Sequence, residues 1–377
     1  MLLIKNGNLH LPGQVVRKGD ILIKDRRILK IGEGLKEDVP VWDAEGKEVF
    51  PGFILPVTSV GLTDYANLRQ GDSNEISSPC NPRLHVRYAL DWREVERQKY
   101  WKSGITSIGA APAGGALLAG QMGVYHVAGR STAQMCVCDT AALKGNFTAE
   151  VKKTFGEKNV APMTRMGMAS CLQEKFRATK EWMEKKDAEP DSNHEVLARV
   201  LKREIPLLMN VTTVADISAV LDLAEEFGLR VILNAPYQGD VAADMIEKSR
   251  ASVILMDLFD MGARIWYGTD VDRLLSLKGK VPLCMGCSAG GVGRENLLWN
   301  ACRLVQMGYK AEDVLDLMTV RTAEVLGVDH LIGSIKEGLF ADLAIYNGNP
   351  LESFSADVDA AIVAGNIVYD KRGEAVC

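Results

Sequence analysis

The residues best suited to bind a metal or attack a substrate are eight cysteines and five histidines. Cys284 and Cys287 are separated by two residues, a spacing that occurs in zinc sites and in redox pairs. A closed zinc site needs four ligands, and no second cysteine pair in the sequence has this spacing. The pattern therefore favours buried thiols. The alternative is a redox pair activated by the start of the helix that follows Ser288.

Composition limits the class of partner. The chain has 377 residues, 47% of them hydrophobic and 25% charged, with a formal net charge of -5. No cluster of basic residues stands out, which argues against nucleic acid as a main partner. No apolar run approaches the roughly 18 residues needed to span a bilayer, and the N-terminus has no apolar signal core. We expect a cytoplasmic protein that acts on neither nucleic acid nor membrane.

The middle of the chain alternates strand and helix patterns. Apolar strands are predicted at Gly104–Ile108, Pro206–Val211, Arg230–Leu233 and Val281–Met285. Helical spacing is found at Trp92–Lys102, Ala215–Phe227, Ala242–Lys248, Asn296–Met307 and Ala311–Val325. Repeated strand–helix units of this length favour a parallel sheet, open or closed into a barrel. A charged stretch at residues 173–203 is typical of an exposed helix, a loop and a second helix inserted into this pattern.

Both ends of the chain have the pattern of short strands. Leu2–Leu11, Gly19–Lys24 and Arg27–Gly32 are separated by turn residues, and Ala360–Tyr369 is predicted to be a hairpin. We therefore predict one small β-domain from residues 1–52 and 329–377, around a middle domain of residues 53–328.

Several phrases resemble one known family. The segment Val49–Ile54 is similar to the first barrel strand of the amidohydrolase superfamily, in which a His-x-His pair of metal ligands follows. Other phrases resemble its imidazolonepropionase- and prolidase-like branch in the same order, at Gly71–Glu75, Gly104–Ser107, Ala119–Gln121, Thr164–Gly167 and Ala341–Leu343. The resemblance covers essentially the whole chain. It implies a (β/α)8 TIM-type barrel with a small β-sandwich domain, a site at the C-terminal strand ends and an oligomeric protein.

The metal-ligand positions of that family hold other residues here. The His-x-His pair falls on Val57-Thr58-Ser59, and the final aspartate falls on Ser288. The later histidine positions fall on Asn210, Thr212 and Ala235, which Asn234 precedes. Only Lys144 survives, at a position that is carboxylated in several branches. Because a catalytic zinc needs about three protein ligands, we predict an unmodified Lys144, no catalytic metal and no other cofactor.

The resemblance also implies a pocket of polar residues. Lys144 and Ser288 are the candidate catalytic residues. The candidate ligand-binding residues are Ser59, Asn74, Glu75, Arg165, Asn210, Thr212, Asn234 and Cys287. A glycine-rich run at residues 290–293 precedes a helix and is a weaker candidate anion site.

Three functions fit these residues. The first is a catalytically silent relative that binds a small molecule, as a homo-oligomer or beside an active paralogue. The second is a metal-independent enzyme that uses Lys144 with a nearby hydroxyl or thiol. The third is a hydrolase of C–N bonds in cyclic amides or dipeptide-like substrates, with an atypical metal site from Asp270 or from Cys284 and Cys287.

Overall fold

Two sheets organise the chain. The computed structural model describes all residues except 12, 14–15, 63–70, 92, 94–96, 261–264, 289–292 and 374–377, and it describes only the backbone at 97–98 and 293–295. The strands are β1 (Leu2–Leu9), β2 (Arg17–Lys24), β3 (Arg27–Gly32), β4 (Val41–Asp43), β5 (Glu48–Pro51), β6 (Phe53–Thr58), β7 (Ile105–Ala110), β8 (Leu118–His126), β9 (Cys136–Asn146), β10 (Leu207–Asn210), β11 (Val231–Asn234), β12 (Ser252–Met256), β13 (Leu283–Gly286), β14 (Leu343–Tyr346), β15 (Val358–Val363) and β16 (Asn366–Asp370).

The helices lie mainly between the later barrel strands. They are α1 (Arg97–Trp101), α2 (Thr132–Met135), α3 (Ala149–Gly156), α4 (Arg165–Glu184), α5 (Ser192–Leu201), α6 (Val214–Phe227), α7 (Ala243–Ser249), α8 (Val271–Leu275), α9 (Gly293–Gln306), α10 (Ala311–Met318) and α11 (Val320–Leu326). None of the helices in the described part of the chain is long and apolar enough to cross a bilayer.

The larger unit is a nearly closed barrel in a mixed α/β fold. Strands β6 to β13 pair in chain order in one eight-stranded sheet. The first and last strands approach each other closely, because a Cβ atom built on Gly286 would lie 2.6 Å from Cγ of Pro56. Glycine is therefore required where the barrel closes.

The barrel differs from an all-parallel (β/α)8 arrangement at one strand. β8 is antiparallel to both β7 and β9, whereas the other neighbouring strands of this sheet are parallel. The connection from Ala110 to Leu118 is too short for a crossover helix, since parallel strands need a dozen or more connecting residues. The prediction of eight parallel strands is wrong at this position.

Alternation along the strands separates the barrel interior from its outer face. Ala142, Leu208, Ile232, Ile254 and Cys284 pack together inside the barrel. Their sequence neighbours, such as Leu143 and Leu207, pack outward against the helices. Residues two positions further along β9, β10 and β11 therefore point inward at the C-terminal ends of the strands.

Strands from both ends of the chain share the second sheet. Its order is β16-β15-β14-β5-β1-β2-β3, and β4 pairs with β1. The sheet has its own apolar core, which includes Ile4, Ile21, Trp42, Leu343 and Ile362. The division at residues 52 and 329, and a sandwich arrangement of this part, stay predictions.

Helix boundaries follow local sequence signals. Thr213 and Asp216 form a reciprocal capping box at the start of α6, and Gly228 ends the helix in the left-handed conformation at φ 70°. The predicted single helix Ala311–Val325 is two helices, because the chain turns at Thr319, where φ is -129° and ψ is -99°. Over residues 173–203 the two predicted helices are present, but Phe176 and Val200 are fully buried. That stretch is therefore not exposed on all sides.

Candidate active site

Lys144 is a buried amine in the barrel interior. Its side chain is 1% exposed, and its Nζ donates hydrogen bonds to Gly145 O at 2.8 Å and to Asn146 Oδ1 at 2.5 Å. Burial lowers the pKa of Lys144 to about 7, and the carboxylate of Glu150 opposes this shift. The amine is therefore largely neutral just above neutral pH, and its lone pair is then available to a proton or an electrophile.

Asn146 positions this amine and was missed in the sequence analysis. Its Nδ2 donates to Ala116 O at 2.7 Å and to Ala113 O at 3.3 Å. These bonds fix Oδ1 as the atom that faces Lys144. The signal was present in the sequence, because Lys144 and Asn146 are two residues apart on one strand and therefore share a face.

Asn210 and Asn234 form a second polar pair at neighbouring strand ends. They are directly paired residues of the parallel strands β10 and β11, and Asn234 Nδ2 donates to Asn210 Oδ1 at 2.6 Å. Asn234 Oδ1 is buried and has no hydrogen-bond partner. Two of the predicted pocket residues therefore contact each other, and one acceptor atom is left unsatisfied.

Ser288 pairs with a carboxylate that the sequence analysis missed. Asp257 directly follows β12, and its carboxylate accepts from Ser288 N at 2.9 and 3.0 Å and from Ser288 Oγ at 2.5 Å. Burial raises the pKa of Asp257, and the bonds from Ser288 act in the opposite direction. An aspartate directly after the apolar run Ser252–Met256 was the signal in the sequence, since strand ends carry the site in such barrels.

Three further predicted site positions, at Val57, Ser59 and Thr212, lie at the ends of β6 and β10. Val57 packs inside the barrel with the apolar cluster, so a hydrophobic side chain occupies the first predicted ligand position. Ser59, directly after β6, and Thr212, two residues after the end of β10, are half-buried. Thr212 O accepts from Gln238 N at 3.0 Å, which ties the loop after β11 to the loop after β10.

Three candidate ligand-binding residues make local structural contacts. Arg165 Nε donates to Asp216 Oδ1 at 2.6 Å, so it braces the start of α6. Asn74 Oδ1 accepts from Gly115 N at 3.0 Å. Glu75 accepts from Ser77 N within its own turn, and hydrogen bonding from Ser77 lowers the pKa of Glu75.

The two cysteines of the Cys-x-x-Cys segment face different sides of the barrel wall. Cys284 packs in the barrel interior, whereas Cys287 packs in the outer cluster between the sheet and the helices. Burial raises the pKa of Cys284 to about 12 and also raises that of Cys287. The two thiols therefore pack in different clusters, and the assignment of Cys287 to the pocket stays a prediction.

Asp270 lies at a helix start, away from the end of a strand. Its side chain accepts from Arg273 N at 3.1 Å and caps α8, and the eighth barrel strand is instead β13. The glycine-rich run at 290–293 lies outside the described residues up to 292.

Four histidines have identified partners elsewhere in the molecule. His10 bonds Glu48, His85 bonds Thr140, His126 bonds Asp342 and His194 bonds Thr179. Each of these contacts ties neighbouring segments together. These histidines are therefore used in structural contacts.

Comparison with known proteins finds amidohydrolases both by sequence and by structure. A family model described as the amidohydrolase family matches residues 241–372. An amidohydrolase from Thermotoga maritima MSB8 superposes with a TM-score of 0.90 at 26% identity, covering 98% of this chain and 100% of that one. The family-model match over the C-terminal third and the similarity of the whole fold both support the amidohydrolase superfamily. In its barrel, the C-terminal strand ends described above are where a site is expected.

More distant relatives differ in length or identity. Amidohydrolase tasK from Hapsidospora irregularis is 21% identical over 385 residues, which cover 91% of this chain and 39% of that protein. The chain thus spans well under half of that curated relative. A prolidase structure complexed with n-methylphosphonate-L-proline is 17% identical, with a TM-score of 0.56 and coverage of 98% and 99%. At that identity the likeness concerns the fold alone.

The residues at the strand ends do not fit the catalytic metal that the resemblance implies. Zinc sites are built mainly from imidazole, thiolate and carboxylate ligands. At the strand ends described here, the inward-facing polar residues are Lys144, Asn146, Asn210 and Asn234, and Asp257 supplies one carboxylate, which is bonded to Ser288. Within the part of the chain that the structure describes, no three His, Cys, Asp or Glu side chains lie close enough to hold a metal.

Proposed function

We propose that this amidohydrolase-superfamily protein binds a small polar molecule at the mouth of its barrel and does not use a catalytic metal. The observation that carries the proposal is the pairing of side chains at the strand ends. Lys144 bonds Asn146, and Asn234 bonds Asn210, where the resemblance predicts metal ligands. Amine and amide groups that hydrogen-bond one another suit recognition of a polar molecule better than capture of a cation.

The unsatisfied acceptor indicates the class of ligand. A buried polar atom without a partner costs about 1–3 kcal/mol, and Asn234 Oδ1 is such an atom. A ligand that donates an N–H group would recover this free energy if a small movement of the neighbouring groups admits it. Cyclic amides and short peptides carry that group. Cyclic amides and dipeptides are therefore the first ligands that we propose to test.

A binding screen tests the proposal. Metal-free protein is titrated with cyclic amides and dipeptides by isothermal calorimetry, and Asn234→Ala is compared with Asn366→Ala, an exposed asparagine at the start of β16. We expect N234A to weaken binding of a hit by about tenfold, equivalent to about 1.4 kcal/mol, and N366A to leave it unchanged. Equal affinity in N234A and the wild type would show that the ligand binds elsewhere.

A metal-independent enzyme is the second candidate, and two observations favour it. The neutral form of Lys144 is accessible near neutral pH, and the exposed Ser288 hydroxyl donates to the Asp257 carboxylate. A hydroxyl beside a carboxylate with a raised pKa is a pair in which general base assistance to a nucleophile is feasible.

Covalent labelling distinguishes this candidate from a silent binding protein. A serine-reactive fluorophosphonate is incubated with the wild type, with Ser288→Ala and with Ser276→Ala. The Ser276 hydroxyl donates to the backbone oxygen of Arg273 at the end of α8. An enzyme of this kind predicts labelling that S288A abolishes and S276A retains. A wild type that stays unlabelled at all pH values tested would leave the nucleophilic role of Ser288 without support.

Self-association is part of the same proposal. We propose that the chain assembles with copies of itself or with a catalytically active relative. Sedimentation analysis of the purified chain tests the first case, since a monomer at all concentrations would leave only the second.

A further inference from the structure

Cys80 and Cys171 form a thiol pair away from the barrel mouth. Their Sγ atoms lie 3.5 Å apart although the residues are separated by 91 positions in sequence. Both side chains are half-buried and pack against the edge of the outer core. A disulfide requires the sulfurs to approach to about 2.05 Å. The dithiol and the disulfide therefore differ by a shift of about 1.5 Å in half-buried side chains.

The two cysteines belong to different structural units. Cys80 lies in a segment that runs along the start of β8, where Asn81 N donates to Leu118 O at 2.7 Å and Leu118 N donates to Pro79 O at 3.0 Å. Cys171 lies in the second turn of α4. A bond between the sulfurs would therefore join the loop segment to a helix on the outside of the barrel.

The surroundings favour Cys171 as the thiolate. The hydrogen bond between the two sulfurs, and then the positive charge of Lys175 one helical turn beyond, lower the pKa of Cys171, and Lys175 acts on Cys80 in the same direction. The same bond and burial raise the pKa of Cys80. In the other five described cysteines, Cys136, Cys138, Cys284, Cys287 and Cys302, burial raises the pKa. Thiolate reactivity is thus directed to one member of the pair.

We propose that Cys80 and Cys171 form a reversible dithiol–disulfide site that reacts with hydroperoxides. The Cys171 thiolate attacks the terminal oxygen of the hydroperoxide, so the O–O bond breaks and Cys171 becomes a sulfenic acid. The leaving alkoxide or hydroxide takes up the proton that the Cys171 thiol released, and departs as an alcohol or water. The Cys80 sulfur then attacks Sγ of Cys171. The S–O bond breaks and water leaves with the proton of the Cys80 thiol.

The electron count of this reaction is balanced. Two thiols lose two electrons in total, and one hydroperoxide gains them to give water and an alcohol, or two waters from hydrogen peroxide. A dithiol reductant reverses the reaction by thiol–disulfide exchange.

The disulfide would restrain a segment next to the barrel mouth. The chain from Asp72 to Asn81 is bonded to the connection before β8, since Ala113 N donates to Ser73 O at 2.7 Å and Gly115 N donates to Asn74 Oδ1 at 3.0 Å. The same connection supplies the carbonyl groups of Ala113 and Ala116 that orient Asn146. Oxidation at the thiol pair therefore acts on a segment that borders the residues around Lys144.

Peptide mapping tests the proposal on the full-length chain. The reduced protein is treated with a small excess of hydrogen peroxide, remaining thiols are alkylated, and peptides are analysed by mass spectrometry with and without reductant. We expect a peptide pair linked through Cys80 and Cys171 that is lost after reduction. We also expect slower amide hydrogen exchange over residues 72–81 in the oxidised protein.

Three variants separate the pair from general cysteine oxidation. Cys171→Ser should abolish the linked peptides and leave Cys80 reduced. Cys80→Ser should leave Cys171 oxidised as a sulfenic acid that a dimedone probe captures. The control Cys136→Ser, a half-buried cysteine at the start of β9, should retain the disulfide. Failure of the wild type to form the linked peptides while other cysteines are oxidised would overturn the proposal.

Discussion

Asn234 donates a 2.6 Å hydrogen bond to Asn210 where two neighbouring parallel strands of the barrel end. The two amides occupy inward-facing positions, in register across β10 and β11. Each amide carries both a donor and an acceptor, so the pair can bond internally without a cation between the side chains. This relationship is the basis for treating the site as one that recognises hydrogen-bonding groups.

A double-mutant cycle measures how strongly these amides depend on each other. Replacing Asn210 alone by leucine leaves the buried Asn234 Nδ2 without its acceptor, so we expect a loss of about 1–2 kcal/mol in the free energy of unfolding. Replacing both by leucine should cost about 1 kcal/mol less than the sum of the single changes. Urea denaturation of the four proteins provides the values, and strict additivity would show that the bond contributes nothing.

The buried amine of Lys144 predicts a pH dependence of stability. Its folded-state pKa of about 7 lies below the unfolded value of about 10.4. Between these values the unfolded chain binds more protons, so the free energy of unfolding rises with pH, by up to about 1.4 kcal/mol per unit. This contribution is complete above the unfolded pKa and is lost as the pH falls toward 7.

Urea denaturation at about pH 7 and about pH 9 measures this slope in the wild type and in Lys144→Met. The wild type should gain about 2–3 kcal/mol relative to K144M between the two pH values. Lys153→Met, an exposed lysine in α3, should show the slope of the wild type. Parallel slopes in the wild type and K144M would mean that Lys144 is charged throughout.

The start of α6 predicts a second stability effect. Thr213 Oγ1 accepts from Asp216 N at 3.3 Å and donates to Asp216 Oδ2 at 2.7 Å, and Arg165 Nη2 donates to the same hydroxyl at 3.1 Å. Thr213→Ala removes the cap, so we expect a loss of about 1–2 kcal/mol. Thr213→Ser keeps the hydroxyl and should retain most of the stability. Chemical denaturation compares the two, and equal losses would indicate that the methyl group is what matters.

Close contact between β6 and β7 predicts a large effect at a glycine. A Cβ atom at Gly109 would lie 2.0 Å from the backbone oxygen of Pro56, whereas one at Gly373 meets nothing within 4 Å. Backbone cannot move aside as a side chain can, so Gly109→Ala should cost about 3 kcal/mol or more. Gly373→Ala should be nearly neutral. Thermal melting tests both, and a G109A melting curve like that of G373A would contradict the strand packing described here.

Strand and helix positions were largely predictable because the apolar pattern is regular. Arg27–Gly32 is a strand as predicted, and the helix Val214–Phe227 ends at Gly228 as its sequence indicates. The antiparallel direction of β8 was not predictable from periodicity, since alternation along a strand does not depend on the direction of its neighbours. The resemblance in turn implied parallel strands throughout.

The site was predicted in part. Lys144, Asn210 and Asn234 follow from matching the chain to family phrases, and the structure brings the two asparagines into contact. The ion pair of Arg165 with Asp216 could not be predicted from the sequence, because it joins residues 51 positions apart. Asp257 was missed because no family phrase marks it, although it directly follows the strand Ser252–Met256.

Zinc titration of the metal-free protein tests the central claim most directly. Calorimetry at neutral pH, with elemental analysis of the purified chain, is applied to the wild type and to a variant with Lys144, Asn210 and Asn234 replaced by alanine. We predict far less than one zinc per chain in both proteins, because amide and amine side chains are poor zinc ligands. Tight binding of one zinc per wild-type chain, lost in the triple variant, would contradict the claim.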